Sequence, residues 1–159
     1  MNMNRMMDEK LPWIEAAQGM RSQLFDLLSD ADLAFLPGGQ NMTVGALCRE
    51  MGETEYAYIQ SLKTLKHEWS YRHTEAGVVS SIARLKAWFQ TLDDEMQAAI
   101  AAFSDEEVNK LIDRGEEAVT VAFQLDVYLQ AVLIFLGKAT IYLKAMNEVL
   151  PQSFQEYIG

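Results

Sequence analysis

Two residue types with strong chemistry are nearly missing from this sequence: it has one cysteine, Cys48, and two histidines, His67 and His73. A lone cysteine rules out an intramolecular disulfide and a thiolate metal cage. Among helix-forming residues it fits a reducing compartment, so we expect a cytoplasmic protein in which Cys48 is a structural thiol. Neither histidine lies within helical reach of Cys48, which leaves no sign of a Cys–His nucleophile pair. Basic residues are outnumbered, 13 against 23 acidic, for a formal charge of −10. That sign opposes nucleic-acid binding, whose affinity comes largely from cations neutralising phosphates. A phosphate loop is lacking too: Gly38-Gly39 precedes a helical pattern without the Gly/Lys spacing a nucleotide needs. The longest uncharged run, Val127 to Gly137, is bracketed by Asp126 and Lys138. As helix it spans only about 16 Å, well short of the ~30 Å hydrocarbon core, so no membrane span is expected. Met1 to Lys10 lacks the apolar core of a secretion signal, and residues 1–9 are expected to be disordered.

Half of the residues are apolar, enough for a conventional core in one domain of this length. They fall into four stripes at helical spacing. The first starts near Pro12, suited to an opening helical turn, and runs Leu11, Ile14, Ala17, Met20, Leu24, Leu28 before the breaker Leu36-Pro37-Gly38-Gly39. The second begins after Thr43, a plausible N-cap, and runs Val44, Leu47, Met51, Thr54, Tyr58, Leu62, Leu65, Trp69. Ser70 to Gly77 reads as a connection. The third covers Val78 to Phe103, with Arg84, Lys86, Asp93, Asp94 and Glu95 on its solvated face. Ser104-Asp105-Glu106-Glu107 has the form of a capping box opening a short helix through Ile112. The fourth runs from about Phe123 to Glu148 and is closed by Pro151. The expectation is all-α: a four-helix bundle with one short extra helix between the third and fourth long helices, either up-and-down or with one longer crossover.

Two segments carry a family resemblance. One is Pro37-Gly38-Gly39, Thr43-Val44-Gly45-Ala46-Leu47 and Arg49-Glu50-Met51-Gly52-Glu53-Thr54-Glu55-Tyr56. The other is Gln130 to Leu143, with Gly137-Lys138 and Tyr142-Leu143-Lys144, followed by Pro151 and Tyr157-Ile158-Gly159. The chain resembles the DinB/YfiT-like superfamily, and with the helix pattern the likeness covers nearly residues 1–159, a single DinB-like bundle. The resemblance implies a divalent-metal site made by three histidines, one on the second helix and two, four apart, on the last. It places those positions on Glu50, Ala131 and Phe135, with Glu53 at the family's trailing Glu. Alanine and phenylalanine offer a cation no donor, so we expect no metal and no metal-dependent activity. Phe135 is expected to fill the vacated volume.

Three functions stay open. The first is a non-catalytic member with a vestigial cleft between the second and fourth long helices, binding a small molecule and using no cofactor. The second is an enzyme, hydrolase or thiol-transferase-like, whose chemistry has passed to carboxylates. The third is a homodimeric interaction module, since the resemblance implies dimerisation, which would cover exposed apolar faces such as those bearing Phe35 or Trp88. The candidate catalytic residues are Glu50, Glu53 and Asp126. Asp126 and Gln130 share a helix face, and Glu50 turned toward Asp126 would form a carboxylate pair sharing a proton. Against this, Glu50 and Glu53 meet Arg49 or water, and Asp126 favours the positive end of its helix dipole. Trp69 and Arg72 would line the cleft mouth, Arg72 as an anion donor. His67, beside Glu68, reads as a surface histidine.

Overall fold

Three of the long helices open with a hydroxyl side chain that closes the first turn. In the computed structural model, which describes residues 4–159, these helices are α3 (Val44–Thr64), α4 (Ile82–Ala101) and α5 (Val121–Ala145). The Oγ of Thr43, Ser81 and Thr120 accepts from the backbone N–H of Ala46, Arg84 and Phe123, at 3.2, 3.3 and 3.1 Å. Each such cap is worth about 1 kcal/mol to its helix. The fourth long helix, α2 (Leu11–Leu27), carries Pro12 in its first turn, where no N–H is missed. Gly38 and Gly39 then reverse the chain at φ +99° and +61°, a region that side-chain-bearing residues rarely enter.

Polar contacts between helices fix their directions. Lys10 meets Asp126 at 2.6 Å, and Leu24 packs near Tyr142 and Leu143, so α2 and α5 run parallel. Asp26–Lys86 at one end of α2 and Asn4–Ile100 beyond the other make α4 antiparallel to it. Gly45 lies against Val79, Gly52 under Trp88, and Lys63 against Glu95, so α3 and α4 run side by side in one direction. The order is therefore up-down-down-up, and residues 65–81 form the single long crossover between two parallel neighbours. At both glycines a Cβ would overlap its neighbour, Val79's carbonyl or Trp88's ring, so the end of the crossover and α4 both approach α3 closely.

Two expectations are corrected here. Residues 5–9 are not disordered: Arg5–Glu9 form a short helix, α1, with Met6 buried. Asn4 caps it and donates from its side-chain amide to the carbonyls of Ile100 and Phe103 at 2.8 and 2.7 Å, tying the N-terminal segment to the end of α4. Residues 1–3 lie outside the described part. The short helix expected through Ile112 is a single 3₁₀ turn, Glu107–Asn109. Ser104 N–H does donate to Glu107 Oε2 at 3.0 Å, as a capping box requires. A hairpin follows, β1 (Leu111–Asp113) with β2 (Ala118–Thr120), whose Ile112 is buried opposite Val119. The hairpin is anchored by His67 N–H to Asp113 O (2.8 Å) and Asp113 N–H to Leu65 O (2.9 Å). Its hydrogen bonds are tertiary, and three-residue strands leave too short a trace to show alternation. The chain ends in α6 (Gln152–Tyr157), which buries Phe154.

Candidate functional site

On α3, Glu50 and Thr54 stand one turn apart and border two adjoining depressions. The smaller, about 160 Å³, lies between α3 and α5 and brings Glu50 together with Ala131, Phe135 and Lys138. These include all three positions that the resemblance assigns to metal ligands. Phe135 is buried, with its ring in the floor, while Ala131 is half-buried. Lys138 Nζ stands 3.7 Å from Glu50 Oε1. The larger depression, about 660 Å³, runs from Glu50 across Arg49, Glu53, Trp69, Tyr71 and Arg72.

The wall of the larger depression is set by the crossover. Glu53 Oε1 accepts from the backbone N–H of His73 at 3.0 Å and lies 3.7 Å from Arg49 Nε. Tyr71 stacks on Tyr56 with ring centres 3.7 Å apart, and its hydroxyl sits 3.1 Å from His73 Nδ1. Burial pushes the Tyr71 phenol up, with Tyr56 and Glu53 adding to it. Arg72 Nη1 donates to its own loop carbonyls at Trp69 and Tyr71, 2.8 and 2.7 Å away. The guanidinium is thus anchored through one nitrogen, with its other N–H groups free to donate. Trp69 leaves half of its indole exposed. The arrangement offers two guanidinium groups, an aromatic plate and carboxylates that are already engaged.

Asp126 and Gln130 do not join this site, a correction to the carboxylate pair weighed above. Asp126 pairs with Lys10 toward α2, and Gln130 points outward. At about 100° per residue, a helix that turns Ala131 and Lys138 toward α3 must turn 126 and 130 away. His67 is also corrected. It is buried, with Nδ1 2.9 Å from Gln124 Nε2, while the Gln124 carbonyl takes Arg114 Nη1 at 2.6 Å. Burial, with Arg114 adding to it, lowers the imidazole to about 4. Cys48 is fully buried, and burial pushes its thiol up to about 12 against the pull of Arg21, so it stays protonated. Phe35 and Trp88 do not head exposed apolar faces: both pack on the core, and Trp88 stacks on His73 at 3.9 Å.

One buried cluster was missed by the sequence reading. Arg21, fully buried, donates to Glu55 Oε2 at 2.9 Å and to Asp93, and lies 4.1 Å over the Phe89 ring. Gln18 bridges Glu55 (3.3 Å) and the Tyr128 hydroxyl (3.1 Å). Burial pushes the Glu55 carboxyl up, against the Arg21 guanidinium. The signal was present: Ile14-Gln18-Arg21-Phe25, Met51-Glu55-Tyr58-Leu62 and Phe89-Asp93-Met96-Ile100 each alternate four and three apart, with a polar group on the inward stripe.

The residues present do not fit a divalent cation. At the positions that the resemblance assigns to metal ligands there is one carboxylate, already facing an ammonium, with a methyl and a phenyl beside it. Among the described residues no three His, Cys, Asp or Glu side chains converge elsewhere.

Fold and site together define an all-α bundle with an up-down-down-up order and a cleft on the second long helix. The DinB superfamily model matches residues 14–130. The chain belongs to the DinB superfamily. That match ends one residue before Ala131. Among solved structures, the crystal structure of a DinB-like protein (YjoA) from Bacillus subtilis shares the fold, with a TM-score of 0.68 at 16% identity, covering 84% of this chain and 90% of that one. No curated protein matches the chain.

Proposed function

We propose that this chain is a metal-independent member of its superfamily that binds a small organic anion with a flat apolar part, in the double cleft on α3. One observation carries the reading: the positions of the family's ligands form one small cleft, and there Lys138 supplies a fixed positive charge beside Glu50. The adjoining larger cleft adds Arg49 and Arg72 for a carboxylate and Trp69 for a planar body. Carboxylate-based catalysis is disfavoured because Glu50 and Glu53 are engaged by Lys138, Arg49 and His73, and Asp126 is elsewhere.

The test has two arms. Purified protein analysed by elemental mass spectrometry is expected to carry no stoichiometric transition metal, and EDTA to leave its melting temperature unchanged. A chelator-induced drop of several degrees would sink the metal-independent reading. In the second arm, indole-3-acetate and benzoate at millimolar concentration raise the melting temperature of the wild-type chain, as ligands binding only the folded state must. Arg49→Ala and Trp69→Ala each abolish the rise. No response to either probe, or an equal response in both variants, removes the cleft from consideration.

A further inference from the structure

The small depression between α3 and α5 separates charge from apolar surface by depth. Its floor is made by Leu47, Met51 and Phe135, each 4% exposed. At its mouth stand Glu50 and Lys138, 3.7 Å apart, with side chains 49% and 53% exposed. Thr54 and Ala131, both half-buried, form the sides. A carboxylate or an ammonium pushed to that floor would shed its water and find no partner for its charge. What the floor accepts is an uncharged aliphatic group. At roughly 30 Å³ for each group the size of a water molecule, the space of about 160 Å³ holds a chain of roughly five such groups.

The large depression has the opposite character, and the two share Glu50 and Thr54 on their common border. Arg72 reaches it from the crossover with its guanidinium anchored through Nη1 alone. Trp69 presents a half-exposed indole, and Arg49 adds a second guanidinium. The Thr54 hydroxyl can both donate and accept. A molecule seated across both depressions thus meets an aliphatic pocket, then a hydroxyl, then guanidinium groups and an aromatic plate. In an inference that rests on the anion-binding role given above to the larger depression, we propose that the ligand is a carboxylate bearing both a planar ring and a short unbranched acyl chain, the pattern of an N-acyl aromatic amino acid. The acyl chain enters the small depression and lies on Phe135, and its amide sits beside Thr54. The carboxylate meets Arg72 and Arg49, and the ring lies against Trp69. Glu50 and Lys138 stay hydrated at the mouth. A simple aryl carboxylate fills only the large depression and leaves the apolar floor uncovered.

Isothermal titration calorimetry of the full chain tests this, with N-acetyl-, N-butanoyl-, N-hexanoyl- and N-octanoyl-L-phenylalanine run beside indole-3-acetate. Each methylene buried is worth about fourfold in affinity. Affinity is therefore expected to rise more than about tenfold from acetyl to hexanoyl and to stop rising by octanoyl, once the pocket is full. Ala131→Phe fills the small depression from its side; it keeps the affinity for the acetyl compound and removes the gain with chain length. Ile134→Gln, at a rim position 59% exposed and so tolerant of change, cuts the hexanoyl affinity several-fold and spares the acetyl compound, which keeps the test decisive if Ala131→Phe does not fold. A flat acyl series with indole-3-acetate still bound would overturn the acyl pocket and leave the anion site standing. No binding by any of the five compounds would overturn both. Equal loss of the acetyl and hexanoyl compounds in Ala131→Phe would put the ring in the small depression and overturn the assignment. A gain continuing unchanged through octanoyl, the mark of loose contact with exposed apolar surface, would overturn it too.

Discussion

Removing the Arg21 side chain's charge while keeping its length, as Arg21→Met, isolates the buried ion network. Arg21 and Glu55 are both fully buried and lie 2.9 Å apart. After the substitution Glu55 retains only the Gln18 amide at 3.3 Å, and Asp93, partly exposed, turns to water. Stranding one buried partner of an ion pair costs about 3–5 kcal/mol, and the methionine stem replaces most of the lost packing on Phe89. We therefore expect a loss of about 4 kcal/mol, close to 10 °C in melting temperature for a chain of this size. The assay is urea unfolding followed by circular dichroism across pH. In the variant the folded-state carboxyl lies further above its unfolded value of 4.5, so the folded state holds its proton more tightly. Relative to wild type, the penalty is fully present above the variant's folded value and is lost as pH falls toward the wild-type folded value, itself already raised from 4.5. Glu55→Gln added to Arg21→Met recovers part of the loss above that wild-type value, where the stranded carboxyl would otherwise be charged. A loss below 1 kcal/mol, or a penalty independent of pH, would refute a charged pair at the bundle centre.

Three further outcomes are expected. His67 is lowered in the fold from 6.5 to about 4, so its contribution is present above 6.5 and is lost as pH falls toward 4. Equilibrium unfolding should show that loss, about 2 kcal/mol after allowance for solvent screening, and should not show it in His67→Gln. Gly45→Ala drives a methyl group into the Val79 carbonyl and should destabilise by about 2 kcal/mol or more, whereas Gly19→Ala, with open space around it, should stabilise α2 by up to about 1 kcal/mol; equal effects in thermal melts would contradict the close α3 approach. Phe135→Ala empties the floor of the small cleft and should cost about 3–5 kcal/mol; a change below 1 kcal/mol in chemical denaturation would place the ring outside the core.

The first two long helices were legible twice over, as an apolar stripe and as a start signal, whereas the third and fourth were read from their stripes alone and their caps Ser81 and Thr120 went unread. Thr43, Ser104, Pro12 and Gly38-Gly39 marked boundaries through purely local backbone chemistry, which neighbours in space do not alter. The DinB resemblance followed from the same local text around Glu50 and Gly137. Other features depend on what lies across the bundle. Leu111–Asp113 is a strand because Leu65 and His67 offer it hydrogen bonds, and residues 4–9 are ordered because Asn4 finds the carbonyls of Ile100 and Phe103 at the end of α4. His67 looks like a surface residue beside Glu68 until Gln124 and Arg114 close over it. Glu50 and Asp126 are both acidic and both near the expected cleft, yet the rotation of α5 separates them and sets Lys138 beside Glu50 instead. Arg21 and Glu55 sit at inward positions of their stripes, whereas Asp93 reads as part of the solvated face and is drawn into the network by Arg21. Only packing can bring three charges from three helices to one point and repay their loss of water.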